Sequence, residues 1–193
     1  MNYLAHALLS TDDAEVLTGN IIADIAKGAV RKQLQPKYLT GIEMHRYIDQ
    51  FTDQYPALKA IKKKLQPWTG RYTPVLLDIY MDFFIGAKWD EYSDQGKQEF
   101  ETMIYNKLNS QVYDLPSEIG QRLHNMIIHE WLHIYWSTLN LEKVISRLSV
   151  RVKSPELLIN TTQGFELVYP FLENDFPMFY YSLQSALSVK FKK

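Results

Sequence analysis

There is no cysteine among the 193 residues. That excludes a disulfide framework, a thiolate nucleophile and a thiolate-bound zinc, and leaves hard or borderline ions held by imidazole and carboxylate as the metals open to this chain. Nor is there an excess of either charge: 21 basic residues stand against 22 acidic ones, a formal net charge of −1. A general nucleic-acid binder, which relies on a strong positive field, is therefore not expected, and any charged partner must be met by a local patch. Long apolar runs are missing too. The opening MNYLAHALLSTDD has no basic segment ahead of an extended apolar stretch, and nowhere do 18 uncharged apolar residues follow one another, so neither a secretory signal nor a membrane span is expected and the chain reads as soluble and cytoplasmic. Sustained alternation of apolar and polar residues, internal repeats and linkers are also wanting.

What is present is a hydrophobic fraction of 46%, enough for one substantial core. Apolar residues recur at helical spacing, which predicts a single all-α domain, a helical bundle over 1–193. The expected helices are a short one at 2–9; one from the caps at Ser10 to Asp13 to about Lys27, stopped by Gly28; and one after Pro36 carrying GIEMHRYIDQFTD. Others run from 56 to 65, from about 71 to 89, and from about 94 to 109. Further on come 117 to about 135 and 139 to 148, then a last stretch from about 154, broken by Pro170 and Pro177 and ending in the basic Lys190, Lys192 and Lys193. The 9 Phe, 13 Tyr and 4 Trp are scattered at helical spacing and read as core filling, not as a stacking platform for bases.

Against this background a few polar positions stand out. His45, Asp49 and Asp53 stack at steps of four beside an apolar stripe of Ile42, Met44, Ile48 and Phe51. Asn20 and Asp24 interrupt an apolar run one turn apart, His6 sits in a short apolar helix, and Asp78 and Asp82 lie one turn apart in the most apolar helix of the chain. Two like charges so placed repel unless a proton or a cation lies between them. Helices of a bundle aim such groups at a shared interior site. Carboxylates with imidazole suit Mn²⁺, Mg²⁺ or Fe²⁺, with Zn²⁺ possible, and a metal of that kind activates water and offsets phosphoryl charge. Arg46, beside His45, is a candidate for holding a phosphate oxygen.

The segments NYLAH at 2–6, TGNIIAD at 18–24, GIEMHRYIDQFTD at 41–53, and Arg71, Pro74, LLDIYMDFF and Trp89 resemble the acyl carrier protein phosphodiesterases, a divergent branch of the HD-domain phosphohydrolases. The likeness continues more weakly through WLHIY at 131–135, the stretch ending at Arg151, and FPMFYY. It implies an HD-like all-α fold, a divalent ion, usually manganese, and hydrolysis of the phosphodiester joining 4′-phosphopantetheine to a serine of holo acyl carrier protein. The motif positions are His6, Asp24, His45, Asp49, Asp78 and Asp82. On this reading His6, Asp24, His45 and Asp78 hold the ion, Asp49 or Asp82 orients or deprotonates the water, and Arg46 stabilises the phosphoryl group. The chain departs from the family at Phe83, where the motif carries His after Asp. Because acyl carrier proteins are acidic, Lys59, Lys62, Lys63, Lys64 and Arg71 form the expected docking patch.

Two readings compete. His129, Glu130 and His133 spell H-E-x-x-H, a zinc-protease helix, although Trp136 and Leu139 occupy the places of the glycine and histidine of the longer signature. A non-catalytic domain that docks an acidic partner through its lysines is the other.

Overall fold

The computed structural model describes residues 1–158 and 161–191, and among them every regular element is helical. In chain order these are α1 (Tyr3–Leu9), α2 (Ala14–Ile22), α3 (Gly28–Arg31), α4 (Leu39–Gln54), α5 (Pro56–Thr69), α6 (Thr73–Ala87), α7 (Lys97–Asn109), α8 (Ser117–Ile128), α9 (Leu141–Ser149), α10 (Thr161–Asn174) and α11 (Phe176–Lys190), linked by short 3-10 turns.

The helix that is apolar almost all round, α6, is the axis of the bundle, with Leu76, Leu77, Tyr80, Met81, Phe83, Phe84 and Ile85 all buried. It packs against α1, α5, α10 and the 3-10 turn His133–Trp136. The Tyr80 hydroxyl donates to the Thr161 carbonyl oxygen at 2.7 Å, which gives the one polar atom of that ring a partner in the core. The aromatics do fill core: Phe84, Tyr92, Phe176 and Tyr180 meet edge to face or tilted.

Helices α2 and α4 approach each other closely, and glycine is the reason. A methyl group on Gly41 would lie 2.0 Å from the Val16 carbonyl oxygen and 2.6 Å from the Asn20 nitrogen; one on Gly19 would lie 2.2 Å from the Tyr38 carbonyl oxygen. Backbone therefore rests on backbone here, a distance that no side chain at either position permits.

Several boundaries differ from the sequence expectation. Asp13 does cap α2, its carboxylate accepting from the N–H groups of Glu15 and Val16, but the helix ends at Ile22, so Asp24 lies in the following turn and not in a buried helix. Gly28 has positive φ yet opens α3 instead of ending α2. Helix α5 runs through Pro67 to Thr69, and α10 runs through Pro170 unbroken, because packing of both helices against neighbours outweighs a proline cost of about 3 kcal/mol. Helix α8 stops at Ile128 instead of continuing to Tyr135. Of the expected basic tail, Lys190 ends α11, while Lys192 and Lys193 lie outside the described residues.

Candidate functional site

The α2–α4 contact brings Asn20 against His45, and the packing of α1 on α2 brings His6 to the other side of the same asparagine. Asn20 is wholly buried, and each of its polar groups is used. Its side-chain nitrogen donates to the His6 carbonyl oxygen at 3.0 Å and to the Ser10 hydroxyl at 2.7 Å, which fixes the amide orientation. Its side-chain oxygen then has to accept, so His6 Nδ1, 2.8 Å away, carries the hydrogen. Its backbone oxygen is 2.9 Å from His45 Nδ1, which must carry a hydrogen for the same reason. One residue thus sets both imidazoles in the tautomer that leaves Nε2 with a bare lone pair.

The two rings stack at 4.1 Å with an 18° tilt. Both Nε2 atoms are buried and without a hydrogen-bond partner. Facing them is Asp49, one turn beyond His45 on α4, with one oxygen 3.4 Å from His6 Nε2 and the other 3.1 Å from His45 Nε2. Asp24 reaches in from the turn after α2, 3.6 Å from His45 Nε2. Lone pairs aimed at carboxylate oxygens repel unless something positive lies between them, so the group accommodates a proton or a cation. One ligand atom from each of His6, His45 and Asp49 falls within 4.8 Å of the others, and this is the one such group among the described residues. The donor set fits a divalent ion: two imidazole nitrogens with their other nitrogen hydrogen-bonded, a carboxylate, and a second carboxylate beside them. Burial holds the His6 imidazole below its ordinary range in spite of Asp49, which keeps it neutral and able to donate a lone pair. The carboxylates keep the site in touch with solvent, since the side chains of Asp49 and Asp24 are 43% and 63% exposed.

The remaining expected residues are placed elsewhere. Asp82 is completely buried beneath the start of α1. Its Oδ1 accepts from the N–H groups of Asn2 at 3.0 Å and Ala5 at 3.3 Å, and its Oδ2 accepts from Leu4 at 2.7 Å. With Asn2 accepting from the Tyr3 N–H, the free donors at the head of α1 are all satisfied. Asp82 is therefore the anchor of the helix that carries His6, and its oxygens, expected to orient a reacting water, accept from backbone here. Asp78, expected as a metal ligand, is not in the cluster either. It pairs at 2.9 Å with the buried α-ammonium of Met1, which also feels Asp49 and Asp82. The cation required between the Asp78 and Asp82 charges is thus this ammonium, and although burial works against its charge, the three carboxylates hold it protonated above its ordinary range.

Arg46 is exposed and makes no ion pair among the described residues. Asp53, the outer member of the α4 row, is bonded to Lys62. Lys59, Lys63 and Lys64 are free on the solvent side of α5 or its flank, and Arg71 donates to the Ser154 hydroxyl at 2.7 Å. Phe83 is fully buried, edge-on to Tyr135 at 5.2 Å, so position 83 faces the core and its phenyl ring takes nothing from the cluster.

The H-E-x-x-H reading fails on geometry. It needs both histidines on one face of a continuous helix, but α8 ends at Ile128, Glu130 has φ of 46°, and a separate 3-10 turn starts at His133, whose ring lies 3.4 Å from Glu101.

Sequence reasoning singled out Asn20 as an odd polar residue without giving it a role. It missed Tyr3, Arg122 and Arg147, which line a groove of about 950 Å³ between α1, α2, α6, α8 and α9. No helix among the described residues is long and apolar enough to cross a membrane.

The family model described as acyl carrier protein phosphodiesterase matches residues 1–183. The acyl carrier protein phosphodiesterases of Escherichia coli O139:H28 and of E. coli K12 strain DH10B are each 27% identical over 191 residues, covering 98% of this chain and 99% of the relative. No solved structure matches. With nearly its whole length aligned, and with His6, Asn20, Asp24, His45 and Asp49 inside the matched span, the chain belongs to the acyl carrier protein phosphodiesterase family.

Proposed function

We propose that this protein is a metal-dependent phosphodiesterase that releases 4′-phosphopantetheine from the serine of holo acyl carrier protein. The observation that carries the proposal is the pair of buried, unpartnered Nε2 lone pairs converging with Asp49. His6, His45 and Asp49, with Asp24 at the edge, are the residues to hold the ion; Mn²⁺ is the expected metal, and Mg²⁺ or Fe²⁺ is compatible with the same donors. When bound, the ion makes water more acidic and offsets charge developing on the phosphoryl group. Kinship with the HD phosphohydrolases is supported by this class of donor set, imidazole and carboxylate drawn from several helices.

In the reaction a water oxygen forms a bond to phosphorus while the bond from phosphorus to the serine oxygen breaks. The proton released by the water goes to the departing serine oxygen, and Asp24, the more exposed carboxylate, completes the set of residues that would hold the ion. Asp49 presents one oxygen to each Nε2 atom. Asn20 keeps both rings from turning. Arg46, exposed one residue beyond His45, is within the reach of α4 to meet an anionic oxygen.

The experiment is mass spectrometry of holo acyl carrier protein incubated with the protein. The expected result is loss of the phosphopantetheine arm with manganese present, none with chelator, and none with His45→Ala. An arm still intact after long incubation with manganese overturns the substrate assignment.

A further inference from the structure

The groove that borders the cluster is bounded by three arginines. Its floor is apolar, with Ile21, Ile79, Met126 and Trp131 among the residues that line it, and Arg122, Arg147 and Arg151 stand at its rim. Arg122 is paired with Glu118 at 3.1 Å across one turn of α8. Arg147 and Arg151, both exposed, have no acidic partner among the described residues. On a surface with a net charge of −1, where Lys37, Lys62 and Lys107 each hold a carboxylate, two neighbouring guanidinium groups without one are a local excess of positive charge.

The groove is lined in part by chain neighbours of the cluster residues. Tyr3, one turn before His6 on α1, forms part of its wall and packs edge-on to Trp131 at 5.8 Å; Ile21 and Ile25 flank Asn20 and Asp24 in sequence. Burial and the Asp24 charge push the Tyr3 hydroxyl up while Arg122 and Arg151 pull it down.

Resting on the reading given under Proposed function, we propose that this arginine-rimmed groove, and not the lysine-bearing face of α5, is the surface that docks the carboxylate-rich face of the carrier protein. The charge pattern supports the choice. Arginine forks pair with carboxylates in two parallel bonds, and an apolar floor beneath them accepts the apolar side chains that accompany such carboxylates on an amphipathic helix. Of the α5 lysines, Lys62 is already committed to Asp53. The single phosphodiester anion of the arm, met at the cluster of His6, His45 and Asp49, leaves Arg147 and Arg151 without a partner. A protein surface bearing carboxylates uses both.

The test is calorimetric titration of the full-length protein with holo and with apo acyl carrier protein, so that binding is read independently of hydrolysis. Arg147→Glu combined with Arg151→Glu is compared with Lys59→Glu combined with Lys63→Glu. The expected result is a loss of at least tenfold in affinity for both carrier forms in the arginine variant, less than threefold in the lysine variant, and a weaker dependence on salt in the arginine variant. In turnover, KM for the carrier rises in the arginine variant while kcat holds. Because both arginines are exposed, folding is checked by an unchanged denaturation midpoint. If the arginine variant binds both forms as the parent does, or if the parent binds neither, the proposal is overturned. It also falls if the variant loses only the holo form, since the groove then holds the arm. Binding without hydrolysis would instead defeat the substrate assignment and leave the docking surface standing.

Discussion

Asp82→Asn separates two roles for a residue whose carboxylate sits in a helix-rich core. If Asp82 worked on a water, the amide would lower turnover and leave stability alone. The structure makes it the cap of α1 from a different helix, and the expected result is the reverse in kind. The carboxylate accepts three backbone N–H groups through two oxygens. An amide keeps one accepting oxygen and turns an NH₂ group toward the rest, leaving at least one buried donor facing another donor. An unsatisfied buried group costs about 1–3 kcal/mol. A destabilisation of about 3 kcal/mol is therefore expected, a large share of the 5–15 kcal/mol of a typical domain. Urea unfolding followed by circular dichroism measures it, and a change below about 1 kcal/mol refutes the capping argument. The same residue predicts a pH dependence. Burial pushes the Asp82 carboxyl from the ordinary 3.8 up to about 7, against the pull of the ammonium and the backbone donors. The folded state therefore holds a proton that the unfolded chain has released, so this contribution is full below about pH 4 and declines as pH rises toward about 7. The span is worth roughly 4 kcal/mol at most. The difference between parent and Asp82→Asn should narrow across that window, and a difference that stays flat there refutes the assignment.

Three further outcomes follow from the geometry. Gly41→Ala sets a methyl 2.0 Å from a backbone oxygen that cannot step aside; separation of α2 from α4 should cost about 3 kcal/mol and, by breaking the His45 bond to Asn20, weaken manganese binding as read by calorimetry. Asn20→Ala frees both imidazoles to turn, and metal affinity should fall about 10–100-fold with helix content kept, which circular dichroism and metal titration report together. His129→Ala and His133→Ala should leave metal content unchanged by elemental analysis, since neither belongs to the cluster; release of a bound metal by either would restore the zinc-protease reading.

How much was legible beforehand differs from residue to residue. His45 and Asp49 lie one turn apart on a single helix, so local spacing suffices to show that they share a face. Asp13 as a cap, and α6 as the buried axis, were likewise visible because each depends on neighbours within a turn or two, or on composition all round a helix. Asp78 and Asp82 carried the same local signal, polar charge in an apolar run, yet belong to a different arrangement. The pattern says that a compensating charge or donor is needed and does not say which; here the head of α1 supplies it. The end of α2 was misplaced because Ile25 and Ala26 extend the apolar run past the turn in which Asp24 sits.

The amino-acid sequence alone determined the all-helical class, the exclusion of thiol chemistry and the set of candidate imidazoles and carboxylates, since these follow from composition and from contacts within a helical turn. Only the tertiary structure decided which of the acids meet the two histidines. It did so through Gly19 and Gly41, whose missing side chains let two backbones touch, and through Asn20, which reaches groups 14 and 25 positions away along the chain. Interactions across such separations depend on how helices pack, and no spacing along the polymer encodes that distance.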